Sequence, residues 1–314
     1  MSLVDSAREM TLEDVALWDI GKRFGFYGSI AAMVTISMFP VFWILLSSLK
    51  PPSELFVFPQ EFLPYVITIQ DGQLTVVQQF PLTLENYRAA LQERPVGRYL
   101  INSAIVASGT AIIDVVLGSM AGYALSRLRF PYKLHVLLLI LFAALLPFIS
   151  RLIPLYKLAI DLQGTVFGPF FGLNQYLGLI LPYAAFQMPF AVWIFQAYFN
   201  ELPDSLEEAG LMDGLSRVGV LFRIILPVSM PAMATTAIIV FIYAWNEFLF
   251  ALTFMTQDSK RTITVGIALF GGQFNSPWGI ITAAVFMSLV PLMVFMLVFQ
   301  KKIVEGMTAG VGKA

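Results

Sequence analysis

Of 314 residues, 58% are hydrophobic and only 12% charged, where a soluble domain carries about 25% charged and 45–50% apolar residues. That balance excludes a soluble globular fold and describes an all-α integral membrane protein. The 19 Lys+Arg against 20 Asp+Glu leave no excess positive charge to attract nucleic acid. Zero cysteines exclude disulfides, thiolate metal sites and a cysteine nucleophile, and a single histidine leaves no catalytic or metal cluster to assemble.

A membrane-spanning helix needs about 20 mostly apolar residues. After a polar segment, residues 1–25, a six-helix domain is predicted over 26–300, with spans at Phe26–Leu49, Tyr99–Leu125, Leu134–Ser150, Tyr176–Phe199, Pro231–Phe254 and Gly279–Gln300. The mixed apolar and charged stretch Leu12 to Phe24 suits the membrane surface. With the N-terminus inside, the inner segments hold 11 Lys/Arg in 78 residues and the outer ones 8 in 98. This positive-inside bias places both termini, including the 301–314 tail, in the cytoplasm. Pro40, Pro147, Pro182, Pro189 and Pro291 lie inside spans, so the helices are kinked and the freed backbone groups must find partners on neighbours.

The outer loop 50–98 contains Ile67-Thr-Ile, Asp71-Gly72 and Leu74-Thr-Val-Val, a hairpin pattern, and then Pro81 to Leu91, a helix with Thr83 as N-cap. Two ionisable residues fall inside spans, Asp114 and Glu247. Such groups cost about 2.5–3.5 kcal/mol each on insertion scales, so they mark either an ion relay or a structural contact to Ser108, Asn246 or Asn102. His135, beside Lys133, sits at the edge of the third span, where an interfacial role suits it better than proton transfer. The tail Gly306-Met-Thr-Ala-Gly-Val-Gly-Lys-Ala is no phosphate loop, because Met307 stands where glycine is needed and Ala314 where Ser/Thr would bind magnesium. No cofactor is expected in this chain, no metal site, and no catalysis of its own.

The loop 200–230 is more informative. Ser205 and Glu208 have capping-box spacing, Asp204 and Glu207 put negative charge near a positive helix end, and Gly214 suits a C-terminal stop. A short helix from Leu206 to Asp213 is predicted, followed by a second helix capped by Ser216 and running into Pro227. Ala209 and Gly210 at its centre permit close approach of a partner, and a solvated helical hairpin accounts for the same pattern.

The segment Glu208-Ala209-Gly210, then Gly214, Ile224 and Leu226-Pro227, resembles the EAA loop of permease subunits in binding-protein-dependent ATP-binding-cassette importers. Only Gly210, where the pattern has alanine, departs. Phe39-Pro40-Val-Phe-Trp, Ser47-Ser-Leu-Lys50, Asn102-Ser103, Gly122-Tyr-Ala-Leu-Ser-Arg127, Ile153-Pro-Leu-Tyr156, Gly178-Leu-Ile-Leu-Pro182 and Trp245-Asn246-Glu247-Phe248 resemble the carbohydrate permeases of this class. Pro169-Phe-Phe-Gly-Leu-Asn174 and Gly306-Met-Thr-Ala-Gly310 are similar to the smaller permease of maltose transporters.

The resemblance implies a type I importer permease fold in a bacterial or archaeal inner membrane. It implies a different but homologous second permease, two ATPase subunits that carry ATP and Mg2+, and an extracytoplasmic sugar-binding protein. Glu207, Glu208, Ala209, Gly210, Asp213 and Gly214 would form the ATPase-docking element, with the acidic residues paired to basic ones on the ATPase. A tryptophan at Gly210 would then be expected to block docking while the helix still folds. Gly271, Gly272, Gln273, Phe274 and Asn275 would form a loop reaching the binding protein's sugar. A sugar path needs polar and aromatic groups, for which Asn102, Gln187, Tyr243, Trp245, Asn246 and Glu247 are the candidates, although Tyr and Trp equally suit interfacial anchoring. The competing function is a self-sufficient transporter driven by an ion gradient through Asp114 and Glu247.

Overall fold

The computed structural model describes residues 12–58, 63–70, 73–272 and 276–309. The chain divides into two compact units, Met1–Tyr87 with Trp278–Phe286, and Arg88–Pro277 with Met287–Ala314.

In the first unit, helix α1 runs unbroken over Leu12–Ser48, so the stretch expected to lie apart on the membrane surface is continuous with the first span. Strands β1 (Tyr65–Gln70) and β2 (Gln73–Gln78) pair antiparallel from Tyr65↔Gln78 to Gln70↔Gln73, as their alternating pattern predicts. The turn residues Asp71 and Gly72 lie outside the described residues. Helix α2 (Glu85–Gln92), of which only the first three residues belong to this unit, starts later than expected, and Thr83 Oγ1 accepts from the Glu85 N–H at 3.1 Å. The end of α1 is held by Asn86, whose Nδ2 donates to the carbonyls of Ser48 (2.9 Å) and Lys50 (2.7 Å). The Ser48 carbonyl is one that a helix C-terminus leaves without an intrahelical partner, and that of Lys50 lies just past the helix end. Lys50 itself is buried, its Nζ 4.3 Å from the centre of the Phe80 ring.

The second unit is built on α3 (Val96–Arg127), α4 (Lys133–Ala144), α5 (Leu152–Gln163), the short α6 (Gly168–Phe171) and α7 (Tyr176–Glu201). There follow α8 (Asp204–Met212), α9 (Arg217–Val220), a π turn over Leu221–Ile225, and α10 (Leu226–Val228). Next come α11 (Met230–Asn246), α12 (Leu249–Phe254) and α13 (Ile263–Ala268). Helix α14 (Trp278–Ala309) gives its first turns to the first unit and the remainder to the second, and it carries most of the stretch expected as a tail. Among the described residues, four helices are long and apolar enough to cross a membrane, and six spans result if two bent pairs each count as one.

Helices α3 and α7 run parallel, because their contacting residues rise together in number. A Cβ built on Gly109, Gly118 or Gly122 would lie 2.8, 2.9 or 2.6 Å from Ile180, Ala191 or Phe195 respectively. Without bulk on α3, the two backbones approach closely, which is how helices associate where no water drives them together.

Two predicted spans are broken. The third ends at Ala144, and with α5 it bends by 92°. Pro147 in the break supplies no N–H and disfavours helix at the residue before it. The Arg151 guanidinium closes the break, donating to Ala143 O at 2.8 Å and to Leu146 O. Much of the segment expected as an outer loop after Ser150 is therefore helical. The fifth span breaks at Glu247–Phe248, between α11 and α12.

Candidate functional site

Helix α8 hangs from its neighbours by one face. Gly214, with φ +83°, stops the segment in the left-handed region that glycine tolerates. Ser216 Oγ accepts from the Gly219 N–H at 3.1 Å and opens α9. The capping box does not form: α8 begins at Asp204 after Pro203, so Ser205 already lies inside the helix.

The inner face is polar at the start and apolar further along. Tyr123 OH donates to Glu207 Oε1 at 2.8 Å, and the Arg217 guanidinium reaches the same oxygen at 3.2 Å. Arg127 pairs with Asp204 and donates to Phe199 O at 2.7 Å and to Leu202 O. Tyr123 and Arg127 are one turn apart on α3, and Asp204 and Glu207 one turn apart on α8, so each pair shares a face. A Cβ on Gly210 would lie 2.5 Å from Ile224 Cδ1 and 2.9 Å from Val220 Cγ2. Beneath these contacts sits a core of Tyr123, Phe195, Phe199, Val220, Leu221, Ile225, Leu226 and Ala232.

Two of the residues expected in the docking element face inward. Glu207 and Gly210 are buried within the chain, because Tyr123, Arg217 and the α9 side chains occupy the space around them. Gly210 packs against Val220 and Ile224, and Glu207 keeps an edge on the cleft beside α8. Glu208, Ala209, Asp213 and Gly214 are exposed, with Met212 87% exposed beside them. Next to this surface an open cleft of ≈ 1060 Å³ is bounded by Arg127, Arg129, Lys133, Glu207, Glu208 and Arg217, among others. The i, i+4 pair Tyr123 and Arg127 at the end of a span was the sequence signal for an attachment point.

The membrane candidates divide differently. Glu247 is 8% exposed and fully engaged: Oε1 accepts from the Phe250 N–H (3.0 Å), and Oε2 from the Ala251 N–H (3.1 Å) and from Tyr183 OH. It caps α12 inside the broken fifth span, a structural role. Asp114 is 0% exposed, and neither of its carboxyl oxygens has a partner among the described residues. The contacts foreseen for it with Ser108, Asn246 or Asn102 are absent.

Asn102 is likewise spoken for. Its Nδ2 donates to Ser259 O (3.1 Å) and Arg261 O (2.8 Å), and its Oδ1 accepts from Tyr176 OH (2.7 Å). Trp245 is buried and stacked on Phe241. Both hold structural contacts within the chain, and each also borders a surface cavity. Asn246 is exposed and donates to Ile242 O at 2.8 Å. Gln187 and Tyr243 are half-buried, and Tyr243 stands edge-on to Phe148 and Tyr183.

Of the loop between the fifth and sixth spans, Gly271 and Gly272 are exposed, while Gln273, Phe274 and Asn275 lie outside the described residues. Its base is fixed by Phe270, packed on Tyr99 with the Arg94 guanidinium 5.4 Å from the ring centre.

The family model described as "binding-protein-dependent transport system inner membrane component" matches residues 114–307. The chain is 38% identical over 281 residues to the trehalose/maltose transport system permease protein MalG of Thermococcus litoralis, covering 88% of this chain and 92% of that protein. It is 34% identical over 292 residues to the sulfoquinovosyl glycerol transport system permease protein SmoH of Agrobacterium fabrum, covering 92% and 93%. A crystal structure of a bacterial ABC transporter involved in the import of the acidic polysaccharide alginate superposes with a TM-score of 0.70 at 18% identity, covering 93% of this chain and 98% of its own. That last likeness is one of fold.

Proposed function

The chain belongs to the family of binding-protein-dependent transport system inner membrane components, and from that premise we propose that it is one permease half of an ATP-driven importer of a carbohydrate. Its fold is the type I importer permease fold, and it is a multi-pass protein of the inner membrane. Members of this family are membrane subunits that work with ATPase and binding-protein partners. The solutes in the relatives' names, trehalose/maltose and sulfoquinovosyl glycerol, support a carbohydrate as the cargo.

The observation that supports coupling is the exposed edge of α8. Glu208, Ala209, Met212 and Asp213 project from a short helix whose other face is locked to the chain. A rigid lever of this kind transmits the closure of a partner without deforming. We assign this edge, on the cytoplasmic side, to docking of one of two ATPase copies, which carry the ATP and Mg2+. The full assembly includes a second, homologous but different permease and a sugar-binding protein that meets the loop containing Gly271 and Gly272. Half-buried Tyr243 and Gln187 and exposed Asn246 remain the candidates for sugar contact.

The competing ion-driven reading has lost Glu247 to the α12 cap. Affinity purification of the tagged chain from its own cells tests the assignment: an ATPase and a second permease should copurify. Uptake of a sugar by vesicles holding this chain alone, driven by an imposed proton gradient, would overturn it.

A further inference from the structure

We infer that α3 receives the motion of the docking helix directly, through Arg127 and Tyr123 acting as positioning residues, in addition to the helices joined to the loop in sequence. The inference rests on the reading of α8 as the docking element. By connectivity, a push on α8 would pass to α7 before it and α11 after it. The side chains add a second connection.

The last turn of α3 grips the first turn of α8 at two points, Arg127 to Asp204 and Tyr123 to Glu207. The Arg127 side chain is 7% exposed while that of Asp204 is 84% exposed, so the ion pair alone is weak and the grip rests more on the buried Tyr123–Glu207 bond and the backbone carbonyls held by Arg127. The guanidinium also takes the carbonyls of Phe199 and Leu202. The end of α7, the chain leading into α8 and the start of α8 itself are thus tied to a single side chain of α3. A planar fork with five donors holds several acceptors at once, which an ammonium on a flexible stem does not. Glu207 is braced from its other side by Arg217, and Gly210 lets α8 sit tightly against Val220 and Ile224. Above the clamp, Gly118 and Gly122 lock α3 to α7. The α8–α9 segment and the lower half of α3 therefore form one body.

The test uses the complete assembly of permeases and ATPases, with the partners' own cysteines replaced. This chain has no cysteine, so Met120→Cys on α3 and Val218→Cys on α9, both exposed, give a single spin-label pair. Electron-resonance distances are measured without nucleotide and with ATP trapped by vanadate. The expected result is an unchanged mean distance in the two states. In the double variant Arg127→Lys with Tyr123→Phe, the charge and the ring packing against Phe199 are kept, so the fold and ATPase retention persist. Its distance distribution should broaden and its mean should shift on trapping. A nucleotide-dependent shift in the otherwise native protein, or a double variant indistinguishable from it, overturns the inference. Failure of the native chain to copurify with any ATPase would sink the docking assignment instead, and the two failures are read in separate measurements.

Discussion

Two carboxyl groups lie buried in the spans, and they could hardly be treated more differently. Glu247 collects three donors and stabilises a break in its helix, whereas Asp114 sits in unbroken α3 with both oxygens unpartnered among the described residues. The same contrast recurs in adjacent residues of α8, where Glu207 turns inward to Tyr123 and Arg217 and Glu208 faces out. An acidic residue in an apolar sequence is therefore not one kind of signal. What it does depends on whether donors converge on it, and burying a polar group without them costs free energy.

The largest effect is expected from Glu247→Ala, which strands Tyr183 OH and the N–H groups of Phe250 and Ala251. Leaving buried donors unsatisfied costs about 1–3 kcal/mol each, read as a lower unfolding midpoint of the purified complex. Glu247→Gln keeps an acceptor and should recover part of the loss. Equal midpoints for both variants and the native protein would erase the distinction between the two span carboxyls.

Next is Gly210→Trp. The ring has no room against Val220 and Ile224, and overpacking costs about 1–3 kcal/mol or more, so this variant damages the 204–228 segment before any docking is tested. Faster limited proteolysis between α8 and α9 should report it. Because Gly210 faces inward, the substitution is expected to disturb the helix itself and not only its docking.

The two glutamates of α8 should separate cleanly. Glu207→Gln keeps an acceptor for Tyr123 but loses the ion pair with Arg217, whose side chain is 57% exposed, a change worth less than about 1 kcal/mol. Glu208→Gln should leave the unfolding midpoint unchanged and lower ATPase retention during purification, more so at high salt. Reversed results would exchange the roles of the two faces.

The sequence made some of this legible and not the rest, for reasons that are local or long-range. Gly214 as the stop and Ser216 as a cap follow from chemistry within a few residues, and both are found. Which face of α8 turns inward depends on Tyr123, far away in the chain, and on Ile224 across a turn, and periodicity in nine residues does not choose between faces. The breaks at Pro147 and Glu247 were hidden because an apolar average runs smoothly across both. Glu247 three residues ahead of the Phe250 N–H was, in hindsight, a cap pattern. The bonds of Asn102 to the carbonyls of Ser259 and Arg261 leave no trace in composition.

The smallest stability effect belongs to Asp114→Asn. The two side chains have nearly the same shape, and the carboxyl has no described partner to lose, so the terms that make Glu247 costly to change are missing. A neutral amide is also cheaper to bury than an ionised carboxylate. The midpoint should therefore stay within about 1 kcal/mol of native or rise slightly, and ATP-driven uptake should persist. Asp114 lies one turn before Gly118 on the face of α3 that meets α7, a place where a partner could arrive if the helices slide. An Asp114→Asn variant that is as stable as the native protein but fails to transport would mean that the carboxyl finds its donor in another conformation of the cycle. The contrast with Glu247 would then be one between a permanent cap and a transient one, and a role in switching would replace that of a tolerated orphan.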